Sequence, residues 1–194
     1  EFAYGFRGRM DERYDMVRSV VGKRYIYIRN YMPHKLYGQH VNYMFITTTT
    51  QVWKKLYDEG KLNKAQSHFW KTKPAEELYD LHADPDEVNN LVGSTKAEHK
   101  SALDKMRKAH QVHIAEIRDV GFLPEGEIHE RSKGSTPYEM GHNNKKFPYK
   151  KIHAAADLAS SMRAHDLKEI TKLLADKDSA VRYWGALGLL MQAE

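Results

Sequence analysis

The segment R-Y-D-M-V-R-S-V-V-G-K-R-Y-I-Y-I-R-N-Y-M-P-H, residues 13–34, constrains the fold most strongly. Two runs rich in β-branched and aromatic residues alternate between two faces, and the pair Gly22-Lys23 separates them. This pattern is typical of a β-hairpin with a tight turn. Pro33 cannot donate a ladder hydrogen bond, so we expect it to end the second strand.

The flanking elements follow from periodicity and from helix breakers. Residues 1–14 are typical of a polar loop, whereas E-E-L-Y-D-L predicts a short strand that runs into a turn-rich H-A-D-P-D-E-V-N-N-L. Gly, Pro, Asn and Ser are frequent in residues 121–150, which predicts a long ordered arm with little regular structure. Helical spacing predicts three helices, at 48–62, at 64–70 before Pro74, and at about 95–120 before Gly121.

After Tyr149 the composition changes to Ala, Leu and Lys, which predicts helices at about 151–163, 166–175 and 179–191. Asp178 or Ser179 is well placed to cap the last of them. The sequence L-K-E-I-T-K-L-L-A-D-K-D-S-A-V-R-Y-W-G-A-L-G-L-L resembles a HEAT-type repeat. A single repeat cannot bury both of its faces, so we expect neighbouring repeats beyond the chain.

Charge and composition exclude several classes of protein. The chain has 194 residues, no cysteine and a formal net charge of +5, so disulfides, thiolate zinc sites and cysteine nucleophiles are excluded. No apolar run is long enough to predict a membrane span. Residues 1–35 hold eight Lys or Arg against four Asp or Glu, which favours an anionic partner.

Four stretches carry a resemblance to a known family: F-R-G-R-M-D-E-R-Y-D-M-V-R-S-V, K-R-Y-I-Y-I-R-N-Y-M-P-H-K, E-L-Y-D-L-H-A-D-P-D-E-V-N-N-L and I-A-E-I-R-D-V-G-F-L-P-E-G-E. In this order, residues 4–130 resemble the C-terminal subdomain of the type I sulfatases. The similarity is greatest to heparan N-sulfatase (sulfoglucosamine sulfohydrolase) and its bacterial relatives. The third stretch is the most specific, since the family strand E-L-Y-D is followed by D-P-x-E-x-x-N-L.

The resemblance implies an α+β fold with a small antiparallel sheet of about four strands and a long helix packed on it. We expect three segments: a sulfatase C-terminal subdomain at 1–130, a linker or arm at 131–150, and a HEAT-like helical extension at 151–194. We also expect the N-terminal catalytic domain to be missing from this chain. The subdomain would then complete the substrate pocket and stabilise that domain, without turnover of its own.

Family chemistry implies two groups in the parent enzyme, a formylglycine made from Cys or Ser in a C/S-x-P-x-R motif and a calcium ion. Ser135-Thr136-Pro137-Tyr138-Glu139 matches only two letters of that motif and has Glu139 in place of Arg, so we reject it. We therefore predict no catalytic residue, no metal ligand and no cofactor in this chain. Its expected partners are its own catalytic domain and a sulfated sugar.

Six residues are candidates for substrate binding. Arg7, Arg9 and Asp11 lie before the first predicted strand, and paired guanidinium groups suit a sulfate or a carboxylate. His34, Lys35 and His40 follow Pro33 in an aromatic loop. The alternatives are a solvated charge run for the first three and a loop docked on the absent domain for the others.

Two further clusters have ordinary explanations. His110, His113 and Glu116 have a spacing at which a metal could touch two of them, but surface helices often show it by chance. Asp80, Asp84, Asp86 and Glu87 could bind calcium through oxygen atoms, although an Asp-Pro turn explains the same residues. Both clusters are therefore interpreted structurally.

Two other functions stay open. Helices in residues 151–192 could bind a protein partner, which makes the chain an independent interaction module. Alternatively, the basic face of residues 1–35 could bind an anionic glycan; no nucleic-acid-binding motif is present, so we expect no nucleic-acid partner. The sequence fixes neither a homo-oligomeric state nor a compartment, although the resemblance is compatible with a periplasmic or secreted parent.

Overall fold

The computed structural model describes residues 1–193, which divide into two compact units at residue 100. The first unit is built on a β-sheet, and the second consists of helices. An α+β fold with a helical C-terminal segment is therefore confirmed. The predicted boundaries at 130 and 150 stay a prediction, because they concern the division into functional segments.

The first unit contains a four-stranded sheet in which every neighbouring pair is antiparallel, in the order β1-β2-β3-β4. The predicted hairpin is present, but the Gly22 N–H donates to the Tyr25 carbonyl, so Lys23 and Arg24 form the turn. The turn therefore lies one residue later than predicted. The strands are β1 (Ala3–Arg7), β2 (Val17–Val21), β3 (Tyr25–Asn30) and β4 (Glu76–Asp80).

Strand β1 corrects the prediction of a polar loop at residues 1–14. Most of its side chains are exposed, and Phe6 is 82% exposed, so the strand lacks the buried alternation that identifies an inner strand. Its register brings Gly5 opposite Ser19. A Cβ at Gly5 would lie 2.7 Å from the Ser19 hydroxyl, so glycine allows the two strands to pair without a clash.

The two faces of the sheet differ in burial. On one face Val20, Tyr27 and Leu78 are paired in register across three strands, and each is at most 2% exposed. On the other face the corresponding row is Gly5, Ser19, Ile28 and Glu77. Because side chains alternate along a strand, this second row forms the floor of a cavity described below.

Helices α1 (Asn42–Phe45), α2 (Thr48–Asp58) and α3 (Lys64–Ser67) lie between β3 and β4, and α3 continues as a 3-10 turn, His68–Trp70. The Thr47 hydroxyl accepts from the Thr50 N–H at the start of α2. The predicted helix at 48–62 is thus present but ends four residues early, before Gly60 at φ +67°. Glycine adopts this left-handed conformation without a steric cost.

The long helix α4 (Ala97–Glu116) and the helices that follow it account for the rest of the chain. Its buried side chains Leu103, Met106, His110 and Ile114 lie on one face, whereas Ile117, just beyond its end, is exposed. The later helices are α5 (Glu125–Arg131), α6 (Pro137–Gly141), α7 (Tyr149–Ala159), α8 (Leu167–Leu173) and α9 (Ser179–Ala193). None of the helices in residues 1–193 is both long and apolar enough to cross a membrane.

Residues 121–150 contain α5 and α6, so the prediction of an arm with little regular structure is wrong at these positions. The Thr136 hydroxyl accepts from the Glu139 N–H, and the Glu139 carboxylate accepts from the Thr136 N–H and the Ser135 hydroxyl. This capping box starts α6 within a stretch whose composition suggests a loop. It also gives Ser135-Thr136-Pro137-Tyr138-Glu139 a structural role.

The C-terminal helices pack closely around small residues. A Cβ at Gly188 would lie 2.9 Å from both the Ala159 Cβ and the Ile170 Cγ2, so α9 approaches α7 and α8 without a side chain at this point. Trp184 is buried, and its indole N–H donates to the Phe122 carbonyl at 2.8 Å. The Asp178 carboxylate accepts from the Ala180 N–H, which confirms the predicted cap of α9.

Candidate functional site

A cavity of about 580 Å³ lies over the second face of the sheet. Its floor includes Ser19, Ile28 and Glu77 from three neighbouring strands. Tyr37 and the segment from α2 to the 3-10 turn form its walls. The cavity is thus enclosed by the sheet on one side and by aromatic side chains of the connecting segment on the other.

Aromatic side chains form one wall. The rings of Trp53 and Phe69 stack at 4.7 Å with an interplanar angle of 18°, and buried Trp70 meets both rings edge-on. The Trp53 indole N–H donates to the Gln66 carbonyl, which fixes the orientation of the ring. Phe69 closely approaches Gly38, where a Cβ would lie 2.3 Å from its ring. Such a wall offers flat apolar surface to a ligand.

The buried carboxylate of Glu77 is the polar centre of the floor. It accepts hydrogen bonds from Asn30 Nδ2 at 2.6 Å, from the Tyr79 hydroxyl at 2.6 Å and from the Tyr37 hydroxyl at 3.0 Å. Burial, together with the negative charge of Glu77, raises the pKa of both tyrosines above their ordinary value. The tyrosines therefore stay protonated and act as donors to the carboxylate.

A second cluster of charged groups centres on Asp15, next to β2. Its carboxylate accepts from Lys73 Nζ at 3.0 Å, and both side chains are 1% exposed. Arg7 and Gln39 donate to the same oxygen. Burial lowers the pKa of Lys73, whereas the charge of Asp15 opposes that shift.

Arg7 and Lys73 give the cavity a cationic edge, since both line it. The Arg7 side chain is 47% exposed, so donors that do not contact Asp15 remain accessible from solvent. Lys73 also donates to the Lys35 carbonyl at 2.9 Å, which holds it in place. The arrangement can bind an anionic group beside an apolar ring face.

The structure brings only one of the six predicted residues, Arg7, to the cavity lining. His34 is buried, and Lys35 contributes its carbonyl to the binding of Lys73 rather than its own side chain. Arg9, Asp11 and His40 are exposed and do not line the cavity. Asp11 lies in a turn at φ +49°, and the ring of His40 lies 4.6 Å from that of Phe45.

The acidic residues after β4 take part in local hydrogen bonds. Asp80 accepts from the guanidinium group of Arg24 and from the N–H groups of His82 and Ala83. The Asp84 carboxylate accepts from the Asn89 N–H at 2.7 Å. Glu87 lines the cavity, and burial raises the pKa of its carboxyl group.

In the long helix, the three residues whose spacing could allow a metal to touch two of them differ in exposure. His110 is buried, His113 is half-buried and Glu116 is exposed. Within residues 1–193, no three His, Cys, Asp or Glu side chains are grouped in a way that could hold a metal ion.

Sequence reasoning missed most of the cavity. Glu77 and Tyr79 are two residues apart in the predicted strand, so the strand pattern already places both on one face. Lys73 and Asp15 are separated by 58 residues, and no local pattern connects them. The stack of Trp53 and Phe69 likewise depends on how α2 and the 3-10 turn meet.

Comparison with known proteins supports the resemblance. No family model matches the chain. Over 121 residues, which are 62% of this chain, it is 37% identical to an ulvan-active sulfatase from Formosa agariphila. The chain contains a sulfatase-related region. The match spans 20% of the length of that relative, so activity, substrate and partners of a whole enzyme are matters of proposal.

Proposed function

We propose that the sulfatase-related region is the accessory subdomain of a sulfatase, a hydrolase of sulfate esters or of N-sulfate. It completes the substrate pocket, stabilises the catalytic domain and has no turnover by itself. The observation that carries the proposal is the 37% identity over 121 residues to an ulvan-active sulfatase. The catalytic domain and a sulfated sugar are the proposed partners.

The cavity supports this role chemically. A sugar ring has apolar C–H faces that suit the wall formed by Trp53 and Phe69. A sulfate group suits the accessible donors of Arg7, because guanidinium groups bind such oxyanions with two parallel hydrogen bonds. The Glu77 carboxylate and its tyrosine donors offer polar contacts to hydroxyl groups. Aromatic, cationic and acidic groups thus meet in one cavity.

The residues of this chain do not fit the cofactors expected of the parent. The chain has no cysteine, and Ser135 belongs to the capping box of α6. The described residues also include no group that could hold a metal ion. We therefore propose that calcium and formylglycine belong to another part of the parent, and no step of the proposal depends on either.

Two of the predicted residues form a matched pair for testing the cavity. Arg7 lines it, whereas Arg9 is exposed outside it. The reading frame should be extended upstream of the codon for Glu1 and expressed whole, and sulfate release from ulvan and from heparin should be measured. Arg7→Ala should raise KM for the polysaccharide that is hydrolysed by about tenfold, since a charged hydrogen bond is lost. Arg9→Ala should leave KM unchanged.

Turnover of an aryl sulfate by the purified 194-residue chain would refute the accessory role. An upstream region that lacks a C/S-x-P-x-R motif would refute the sulfatase assignment. It would favour the alternative, an independent module that binds a protein or an anionic glycan. Equal effects of Arg7→Ala and Arg9→Ala would show that the cavity does not contact the substrate.

A further inference from the structure

The sequence of the helical unit contains a basic stretch that the sulfatase resemblance does not use. The 17 residues between Glu139 and Asp157 include four lysines and no acidic residue. Lys145 and Lys146 precede α7, and Lys150 and Lys151 lie in its first turn. Cations at a helix N-terminus oppose the helix dipole, so helix stability does not explain their position.

The fold brings the turn before α9, with Lys177, and the start of α9, with Arg182, next to this stretch. Arg131 donates to the Lys146 carbonyl at 2.9 Å and to the Asp178 carboxylate at 2.8 Å. The Lys151 ammonium lies 2.7 Å from the Asp176 carboxylate. The start of α7 and the turn before α9 are therefore neighbours. Their cationic side chains, here called the basic surface, are Lys145, Lys146, Lys150, Lys151, Lys177 and Arg182.

The two carboxylates that link these segments, those of Asp176 and Asp178, each bind a basic side chain. Asp176 binds Lys151, and its hydrogen bond from that lysine lowers the pKa of the Asp176 carboxyl group. Asp178 is bound by Arg131, and the Arg182 guanidinium donates to two main-chain carbonyls rather than to a carboxylate.

Three lysines of the basic surface remain available. Lys145, Lys150 and Lys177 are exposed, and none of their ammonium groups contacts a carboxylate among the described residues. Asp176 and Asp178 are bound by Lys151 and Arg131, so the side chains of these three lysines stay accessible to an anionic partner from solvent.

We infer that the basic surface binds an anionic polysaccharide through its sulfate groups. Lysine ammonium groups are mobile point charges, so they suit sulfates at variable spacing along a polymer better than one fixed geometry. An aromatic pair adjoins the stretch in sequence: Tyr138 is 74% exposed, and its ring lies 4.3 Å from that of His142. Such a ring can contact a sugar face.

The choice of a sulfated polysaccharide over other polyanions rests on the proposed function, because a sulfatase accessory region implies such a substrate. The basic surface would keep the polymer bound while successive sulfate groups are processed. It would therefore affect the polymer but not a small sulfate ester.

The test uses the 194-residue chain and fluorescein-labelled heparin, with binding measured by anisotropy between 50 and 200 mM NaCl. The variant Lys145→Gln/Lys150→Gln/Lys177→Gln is compared with a matched control, Lys100→Gln/Lys108→Gln/Lys168→Gln, in which three exposed lysines elsewhere are changed. As for other polyanions, each lost contact should reduce the log–log salt slope by about 0.9. The first variant should bind about tenfold more weakly or worse at 50 mM salt, with a slope reduced by about 2 to 3.

A third variant, in which the same three lysines become arginine, should retain binding, which separates charge from folding. Equal affinities of the first variant and the control would overturn the inference. So would equal binding of chemically desulfated heparin, or stronger competition by duplex DNA than by heparin at the same concentration of charge.

The outcome is separable from that of the proposed function. In the full-length parent, the same three substitutions should leave turnover of a small aryl sulfate unchanged, since the small substrate needs no anchoring surface. Loss of aryl sulfate turnover in the variant would place these lysines in the catalytic machinery and overturn the anchoring role. Absence of turnover in the unmodified parent would refute the proposed function while leaving the heparin result intact.

Discussion

The two units of the chain have interiors of different chemistry. In the sheet unit, ten polar or charged residues are buried: Asp15, Arg18, Arg29, Asn30, His34, Thr50, Lys73, Glu77, Asp80 and His99. The described part of the helical unit buries three, which are His110, Ser160 and Asp166. Burying a charge costs free energy unless it is paired, so the first interior is the more demanding to build.

The difference indicates where function is to be sought. Glu77 and the pair formed by Asp15 and Lys73 lie beside the cavity, and hydrogen bonds fix the position of each. Apolar residues of similar volume would stabilise a sheet unit at least as well. We therefore interpret the buried polar groups as positioning the side chains that line the cavity, rather than as a source of stability. The helical unit, in contrast, has an ordinary packed core and presents its charges on the outside.

The largest effect is expected in the apolar interior. Trp184→Ala removes a 1% exposed side chain and its hydrogen bond to the Phe122 carbonyl, which should lower the free energy of unfolding of the helical unit by about 4 kcal/mol. Urea unfolding followed by circular dichroism at 222 nm measures it. Trp53 and Trp70 fluorescence reports on the sheet unit, whose transition should not move.

A smaller loss of stability is expected when one partner of the buried ion pair in the sheet unit is removed. Lys73→Met should lower the free energy of unfolding of the sheet unit by about 3 kcal/mol, because it leaves the buried Asp15 carboxylate without its buried partner. Arg7 still contacts Asp15, which places the loss at the low end for buried pairs. Urea titration of Trp53 and Trp70 fluorescence in a Trp184→Phe background isolates this unit.

The double variant Asp15→Asn/Lys73→Met serves as the control. It removes both charges, so it should be more stable than Lys73→Met alone. If the double variant were less stable, the two side chains would act independently, and the contrast between a polar and an apolar interior would lose its main support.

The elements of the fold were predictable where the signal is local. Alternation identified β2 and β3, and the stretch E-E-L-Y-D-L identified β4. Helical spacing identified α2 and α4, and the change to Ala, Leu and Lys identified the three C-terminal helices. Strand β1 was missed because its exposed side chains and Gly5 hide the alternation of an edge strand. Helix α6 was missed because its capping box, Thr136 to Glu139, lies within a Gly- and Pro-rich stretch.

The candidate site was predictable only in part, because its residues meet through tertiary contacts. Arg7 was identified from its charge and from the family resemblance. Lys73 and Asp15 are far apart in sequence, and the tyrosines that bind Glu77 come from different segments. Charge and aromaticity indicate what a site can contain, but strand register and helix packing decide which residues reach it.

At two positions of the helical unit, replacement of glycine by alanine should change the free energy of unfolding in opposite directions. Gly188→Ala places a Cβ within 3.0 Å of Ala159 and Ile170, so overpacking should cost about 1 to 2 kcal/mol despite the better helix propensity of alanine. Gly126→Ala, in α5, has open space around it and should stabilise by about 0.5 to 1 kcal/mol. Thermal unfolding of both variants tests whether α9 packs as tightly as the structure shows. Stabilisation by both would contradict it.

The smallest effect concerns acid stability of the sheet unit. Hydrogen bonds from Arg24, and from the N–H groups of His82 and Ala83, lower the pKa of Asp80 from 3.8 to about 2. Because the folded-state pKa lies below the ordinary one, this carboxylate contributes stability that is complete above about pH 5. That contribution is lost as the pH falls from about 5 through 2, and most of the loss lies between pH 4 and pH 2.

Asp80→Asn removes this titration while keeping an oxygen that can accept from the two N–H groups. The difference in free energy of unfolding between the unmodified chain and the variant should therefore shrink between pH 4 and pH 2 and stay constant between pH 5 and pH 7. Tryptophan fluorescence in the Trp184→Phe background measures it. Asp86→Asn provides the control, since it makes the same chemical change at an exposed position of the turn that follows β4. Equal pH profiles for the two variants would contradict the lowered pKa of Asp80.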